Sequence, residues 1–250
     1  MENNNSSEYI VEGRNAVLES LKSDREINKM LIQKGERNGS INEIIKLAKA
    51  RNLVIVETDK TKLDQISLTG HHQGVIIYTC PQKYYEVEDL LKIAEEKNED
   101  PFLVILDEIE DPHNFGSIIR TCECAGVHGI IIPKRRNALI TETVEKISVG
   151  ATNYMPVARV SNLNQTIDYL KKNNVWIIGT DMDGENVHYK SNLKGAIALV
   201  IGSEGKGMNR LVKENCDMLI KIPMKGRVTS LNASVSAAIC IYEVVRQRES

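Results

Sequence analysis

At 250 residues the chain has room for one large domain or two small ones, and 26% charged with 42% hydrophobic residues is the composition of a soluble globular protein. A net charge of −2 excludes the strongly basic profile of a DNA-binding domain but not RNA, which a local basic cluster can hold. No apolar run approaches the roughly 20 residues that span a bilayer, and residues 1–8 lack the basic and apolar regions of a secretory signal, so a cytoplasmic protein is expected.

Residues 1–8 read as a disordered tail, and a first domain follows over 9–79. Its pattern predicts a helix at 13–22, a strand at 29–33, and a helix at 41–51 with Ile41, Ile44, Ile45, Leu47 and Ala48 on one face. A strand at 53–57, a short helix at 60–66 and a strand at 74–79 complete a compact α/β module of roughly 75 residues, near the lower end for a domain. Residues 80–89 read as a linker, since Pro81 fixes the backbone and the rest is polar or aromatic, and a helical pattern begins at 87.

A second domain is expected over 90–250. Its strands are unbroken apolar runs at 102–106, 130–132, 175–178, 197–201 and 218–222, the signature of strands buried on both faces of a parallel sheet. Helical patterns at 114–126, 141–149, 162–173, 207–215 and 231–247 alternate with them, giving an α/β domain of about 150 residues. Five cysteines without framework spacing fit reduced thiols. Cys122 and Cys124 point apart if they share a helix, so no metal site is expected.

Three constellations in the second domain carry chemistry. In the first, an acidic loop after the strand ending at Leu106 leads to Asn114, placed to cap the next helix, and then to Arg120. A guanidinium on so apolar a helix needs a partner; Glu123 is the intramolecular choice, and a carboxylate or phosphate suits its planar fork. In the second, a buried strand runs into Gly202-Ser-Glu-Gly-Lys-Gly207 and a helix. The spacing is neither the dinucleotide fingerprint nor a P-loop, and Glu204 would repel a phosphate, so either the ligand is not a phosphate or Glu204 turns to another partner. In the third, a strand ending at Pro223 passes through a Gly-containing loop to a helix starting near Ser230. There Asn232 sits among Leu231, Ala233 and Val235, where a buried amide would need a definite partner.

Taken in this order, Asn114 through Arg120, Gly202 through Gly207, and Ile222-Pro-Met with Ser230-Leu-Asn-Ala-Ser234 make the chain resemble the SpoU/TrmH family of SPOUT-class RNA ribose methyltransferases. Gly13-Arg-Asn-Ala-Val-Leu18 and His72-Gln-Gly-Val75 resemble the L30e-like substrate-binding domain of RlmB-type members. The resemblance implies an α/β fold: a C-terminal SPOUT domain with a deep trefoil knot, plus a small N-terminal L30e-like domain. Local pattern alone would not propose the knot. It also implies S-adenosylmethionine as cofactor, an RNA ribose 2′-hydroxyl as acceptor (a guanosine of large-subunit rRNA), and a homodimer paired through the knotted domain, with no metal and no membrane partner.

By the same resemblance Arg120 works on the acceptor side, with Asn114, Glu204 and Asn232 fixing substrate and loop geometry. Thr180, Gly202, Gly205, Ile222, Met224 and Leu231 would cradle the cofactor, and Arg14, Asn15, Arg120, Lys134, Arg135 and Arg136 would meet RNA. Competing readings are a tRNA ribose methyltransferase, a non-catalytic RNA-binding or ribosome-assembly protein, and a nicotinamide-dependent dehydrogenase.

Overall fold

A computed structural model describes residues 9–23, 26–35, 39–80 and 83–250. The expected tail at 1–8 and Pro81 of the expected linker lie outside the described residues. The chain divides into two compact units, Met1–Lys83 with Leu139–Thr143, and Tyr84–Ala138 with Val144–Ser250. The second unit begins inside the expected linker: Tyr85 bridges Ala158, and a helix starts at Val87.

In the first unit the elements are β1 (Ile10–Glu12), α1 (Arg14–Lys22), β2 (Ile27–Gln33), α2 (Ser40–Ala50), β3 (Ile55–Thr58), α3 (Lys60–Ile66) and β4 (Val75–Thr79). They form a four-stranded sheet in the order β1-β4-β2-β3. Strand alternation divides its side chains between two helix-covered faces. Met30, Ile32, Val75 and Ile77 pack with α1 and α2, whereas Leu31, Ile76 and Tyr78 pack with Leu63 of α3. The two motifs singled out here meet: the Arg14 amide donates to Gln73 Oε1 at 2.9 Å and Arg14 Nε donates to the Gln73 carbonyl at 3.1 Å. Gln73 thereby caps α1. His72 Nδ1 accepts from the Gly74 amide at 3.0 Å, which leaves its Nε2–H to face Asp64 at 2.8 Å.

The second unit contains α4 (Val87–Glu96), β5 (Phe102–Asp107), α5 (Pro112–Cys124), β6 (Gly129–Pro133), α6 (Glu142–Ile147), β7 (Val157–Val160), α7 (Leu163–Lys172), β8 (Trp176–Thr180), β9 (Asn186–Val187), β10 (Ile197–Gly202), α8 (Arg210–Glu214), β11 (Met218–Lys221) and α9 (Ala233–Arg248). The sheet has seven strands in the order β7-β6-β5-β10-β8-β11-β9, and every pairing is parallel. As the unbroken apolar runs require, β5 is buried throughout. Leu103, Ile105, Ile177 and Val200 pack under Leu90 of α4 and Ile167 and Leu170 of α7. α9 packs on β10 and on α5. Within α5, Cys122 is buried and Cys124 exposed, and all five cysteines are free. Burial pushes the Cys216 and Cys240 thiols up to about 12, so neither is a thiolate at neutral pH.

The C-terminal helix is tied down at its far end. Arg248 donates to the carbonyls of Asp100, Pro101 and Gly195 and stacks on Phe102. Gln247 Oε1 accepts from the Leu193 amide at 2.9 Å, and its Nε2 donates to Ser191 O and to Glu243 Oε1. The Arg246 hydrogen bond first, and Gln247 after it, hold the Glu243 carboxyl down at about 2. A depressed carboxylate contributes stability above its ordinary value and loses it as pH falls toward the folded one. Glu243→Gln is therefore expected to lower the melting midpoint at pH 7 by roughly 2–4 °C, the shift that about 1 kcal/mol produces at this size. It should also flatten the loss of stability between about pH 4.5 and pH 2, where the native carboxylate alone stays ionised. Thermal melts across that range check both.

Candidate functional site

Because the strands are parallel, their C-terminal ends share one edge. Gly202 pairs with Asp107 in register and Ile220 with Thr180. The chain leaves β5 outward to β6 and β7, whereas β10, β8, β11 and β9 lie on the other side. Ligands in open parallel sheets bind where strand order diverges in this way. At that edge lies a cleft of about 530 Å³, and a smaller cavity of about 240 Å³ shares Ser203, Glu204, Lys206 and Ala233 with it.

The glycine turn builds the wall between them. The Ser203 amide donates to the Gly207 carbonyl at 3.0 Å and the Gly207 amide returns to Ser203 O at 2.9 Å, closing a turn with Glu204, Gly205 and Lys206 at its tip. Gly205 and Gly207 hold positive φ, which favours glycine. A Cβ at Gly202 would stand 2.3 Å from the Gly207 carbonyl carbon and 2.4 Å from the Met208 amide nitrogen. Those are backbone atoms and cannot swing aside. Gly202→Ala is expected to cost roughly 1–3 kcal/mol or more and to open the cleft wall, read by urea unfolding.

The helix following the turn begins at Arg210 rather than at 207, because Asn209 caps it. The Asn209 amide in turn donates to Asp107 Oδ2 at 2.6 Å. Asp107 is 4% exposed, and burial pushes its carboxyl up against the opposing hydrogen bond from Asn209. This residue, which fastens the glycine turn to the end of β5, escaped the sequence reading.

All six residues proposed to cradle a cofactor, Thr180, Gly202, Gly205, Ile222, Met224 and Leu231, line the larger cleft. The Thr180 hydroxyl is used internally, donating to Val200 O at 3.0 Å. Asp181, Lys213 and Arg210 also line the cleft and were not foreseen. Asn114 lines the smaller cavity with Glu108, Glu110 and Glu204.

Asn114 is not the cap of α5. Asp111 is, accepting from the His113 and Asn114 amides at 3.3 and 3.0 Å. Pro112 decides this: proline is favoured at the first helical position, where its missing N–H is not needed, and it biases the preceding residue to extended backbone. Asn114 thus sits within the first turn of the helix and lines the cavity wall. Arg120 is exposed, has neither Glu123 nor any other hydrogen-bond or ion-pair partner among the described residues, and lines neither cavity.

Asn232 is exposed rather than buried, and α9 starts after it, at Ala233 rather than near Ser230. Its Oδ1 accepts from the Ser234 and Val235 amides and from Ser234 Oγ at 2.6 Å, a helix cap. Its Nδ2 donates to Glu204 Oε2 at 3.4 Å, so the third motif holds the tip of the second. Of the proposed RNA contacts, Arg14 and Asn15 open α1 of the first unit. Lys134, Arg135 and Arg136 follow β6, where Arg136 pairs at 3.0 Å with Glu108 of the smaller cavity, and Arg135 is exposed.

The sequence profile described as the SpoU rRNA methylase family matches residues 101–242, more than half of the chain. The chain belongs to the SpoU/TrmH family of RNA methyltransferases. A second profile, described as RNA 2′-O ribose methyltransferase substrate binding, matches residues 10–85. A protein of Bacillus subtilis strain 168 named for the TrmH family of tRNA/rRNA methyltransferases, YacO, is 51% identical over 241 residues, 96% of each chain. A Staphylococcus saprophyticus protein named for the same family is 46% identical over 243 residues, again 96% of each chain.

Among solved structures, the SpoU methyltransferase AviRb from Streptomyces viridochromogenes, in complex with the cofactor AdoMet, shares the fold with a TM-score of 0.61 at 21% identity, covering 98% of this chain and 94% of that one. The A. aeolicus TrmH/SpoU tRNA modifying enzyme matches with a TM-score of 0.56 at 30% identity, covering 65% of this chain and 82% of that one. Family membership sets aside the dehydrogenase reading.

Proposed function

We propose that this SpoU/TrmH methyltransferase moves a methyl group from S-adenosylmethionine to the ribose 2′-hydroxyl of a guanosine in large-subunit rRNA. The observation that carries the reading is the pair of adjoining cavities divided by the glycine turn, one suited to a cofactor and the other containing Asn114 and Glu204. The larger cleft falls within the 300–1,000 Å³ usual for ligand sites. Gly202 presents bare backbone there, Ile201, Ile222 and Leu231 give it an apolar wall, and Asp181 and Lys213 give it a polar end. These residues fit an adenosine ring system with polar extensions. When bound, S-adenosylmethionine supplies an electrophilic methyl group on a sulfonium.

The chain's own residues then have separate tasks. Asn114 and Glu204 position the acceptor nucleotide in the smaller cavity, and Asn232 holds Glu204. Glu110 offers a carboxylate acceptor to the N–H donors on the Watson–Crick edge of guanine, beside Glu108, which holds Arg136. Arg120 grips the RNA phosphate beside the target ribose, and its positive charge eases loss of the 2′-proton to water. Lys134, Arg135 and Arg136 near this edge, and Arg14 and Asn15 on the first unit, hold further phosphates.

Since Arg120 lines neither cavity of its own chain, a second copy supplies it. The outward face of α9 carries Val235, Ile239 and Tyr242 at helical spacing, with Val235 46% and Tyr242 49% exposed. This apolar stripe supports a homodimer through the C-terminal unit. The placing of β10 between β5 and β8, with α9 packed on it, supports the trefoil knot. An active monomer by light scattering at micromolar concentration would contradict the dimer. Five free cysteines suit the reducing cytoplasm.

The resemblance of the N-terminal domain to RlmB-type members supports rRNA, and the tRNA-modifying neighbour covers 65% of this chain. Mapping ribose methylation across rRNA and tRNA in a deletion strain and its complemented control tests the reading. Loss of one methylated guanosine in large-subunit rRNA is expected. Loss confined to tRNA supports the tRNA enzyme instead, and no loss anywhere supports a non-catalytic RNA-binding protein.

A further inference from the structure

Asp181 follows β8, and its amide donates to Ile220 O at 2.9 Å, which fixes it against β11. Its side chain is 10% exposed and lines the larger cleft. Oδ1 accepts from the Asp183 amide at 2.9 Å and lies 2.9 Å from Lys213 Nζ. Oδ2 carries no hydrogen bond among the described residues and lies 3.9 Å from where a Cβ on Gly207 would stand, beside the glycine turn. Facing the cleft without a donor of its own, this oxygen is the one on Asp181 open to a hydrogen bond from a ligand.

The charges nearby narrow what that donor is. Its hydrogen bond to Asp181, and then the charges of Asp181 and Asp183, raise the Lys213 ammonium above its ordinary value, so it stays charged. Arg210 also lines the cleft, but its guanidinium pairs with Glu214 at 2.9 Å. Lys213 already offsets the Asp181 charge through Oδ1, so Oδ2 favours a neutral hydroxyl over an ammonium or sulfonium. The flat adenine ring suits the apolar wall of Ile201, Ile222 and Leu231. The groups left for the polar end are the two ribose hydroxyls. Sheets that bind dinucleotides use a carboxylate for the same task.

We infer that Asp181 is a specificity-determining residue that accepts a ribose hydroxyl of the adenosine ligand at Oδ2, with Lys213 orienting it through Oδ1. The inference rests on reading the larger cleft as the S-adenosylmethionine site. Calorimetry on the full chain with S-adenosylhomocysteine and its 2′-deoxy and 3′-deoxy counterparts tests it without any variant. The wild-type protein is expected to bind at least one deoxy ligand roughly 10- to 100-fold more weakly, the worth of one hydrogen bond to a charged group. Asp181→Ala should bind all three ligands with equal, weakened affinity, and Lys213→Met should keep part of the discrimination. Equal binding of the three ligands by the wild-type protein overturns the inference. So does an Asp181→Ala variant that weakens all three by the same factor, since Asp181 would then act only by clamping β8 to α8. Failure of S-adenosylhomocysteine itself to bind overturns the cofactor reading, and this inference with it.

Discussion

Replacing Arg120 by alanine is expected to lower methyl transfer about 10²–10³-fold, the loss seen when one charge-stabilising donor leaves a reacting centre, while leaving the melting midpoint almost unchanged. The second half follows from the structure: Arg120 is exposed and has no hydrogen-bond or ion-pair partner among the described residues, so its removal breaks nothing within the chain. Surface substitutions of that kind usually fall within about 0.5 kcal/mol. A residue with no structural task on a helix otherwise used for packing is available to an external partner. Arg120→Lys should recover little, because an ammonium lacks the planar fork that grips a phosphate with two parallel hydrogen bonds. Affinity for S-adenosylhomocysteine should not change in either variant.

If the arginine comes from the second copy, mixing Arg120→Ala with a variant disabled at Glu204 should restore part of the activity. In the mixed dimer one site then has both groups intact. Near-wild-type turnover of Arg120→Ala with saturating cofactor and RNA would sink the assignment. Failure of the mixture to recover activity, with the mixed dimer present, would place Arg120 in its own chain's site.

What the sequence made legible was decided by length and periodicity. The runs at 102–106 and 197–201 become β5 and β10, side by side at the centre of the sheet. The helix expected to present Ile41, Ile44, Ile45, Leu47 and Ala48 on one face becomes α2, with Ile41, Ile44 and Ala48 buried and Ile45 and Leu47 partly so. β1 and β9 escaped because they have three and two residues, too few for alternation to register. β7 has four, as many as the foreseen β3, but Arg159 breaks its apolar run.

The two caps show the limit of local chemistry. Asp111 and Asn114 are both good capping residues, and only the proline between them settles the choice. Asp107 is less legible still. Its partner is the backbone of Asn209, 102 residues away, and nothing near either residue announces the bond. Strand order belongs to the same class: that β10 enters between β5 and β8 is a property of the packed sheet, not of any window of sequence. The site was legible to the extent that it is made of turns with special residues. It was illegible where ordinary carboxylates such as Asp107 and Asp181 gain their roles from burial.

Asn232 offers the sharpest separation of a structural role from a functional one, because its two ends do different work. Oδ1 caps α9 and Nδ2 reaches Glu204. Asn232→Ala loses both, and the missing cap alone is expected to cost about 1 kcal/mol. Asn232→Asp keeps the cap, since aspartate accepts the same amides and its charge is favoured at a helix N-terminus. It cannot donate to Glu204, however, and it sets a second carboxylate against the first. The two variants should therefore differ in stability and agree in chemistry. Asn232→Asp is expected to melt at or above the wild-type midpoint, and both variants to lose turnover by about 10²-fold, the scale on which a small misplacement at a reacting centre acts. Thermal melts with single-turnover methylation assays measure the two quantities independently. If Asn232→Asp retains wild-type turnover, the amide is a helix cap and no more. If it loses turnover with an intact fold and unchanged S-adenosylhomocysteine binding, the donor end of the amide, acting through Glu204, positions the acceptor side of the site.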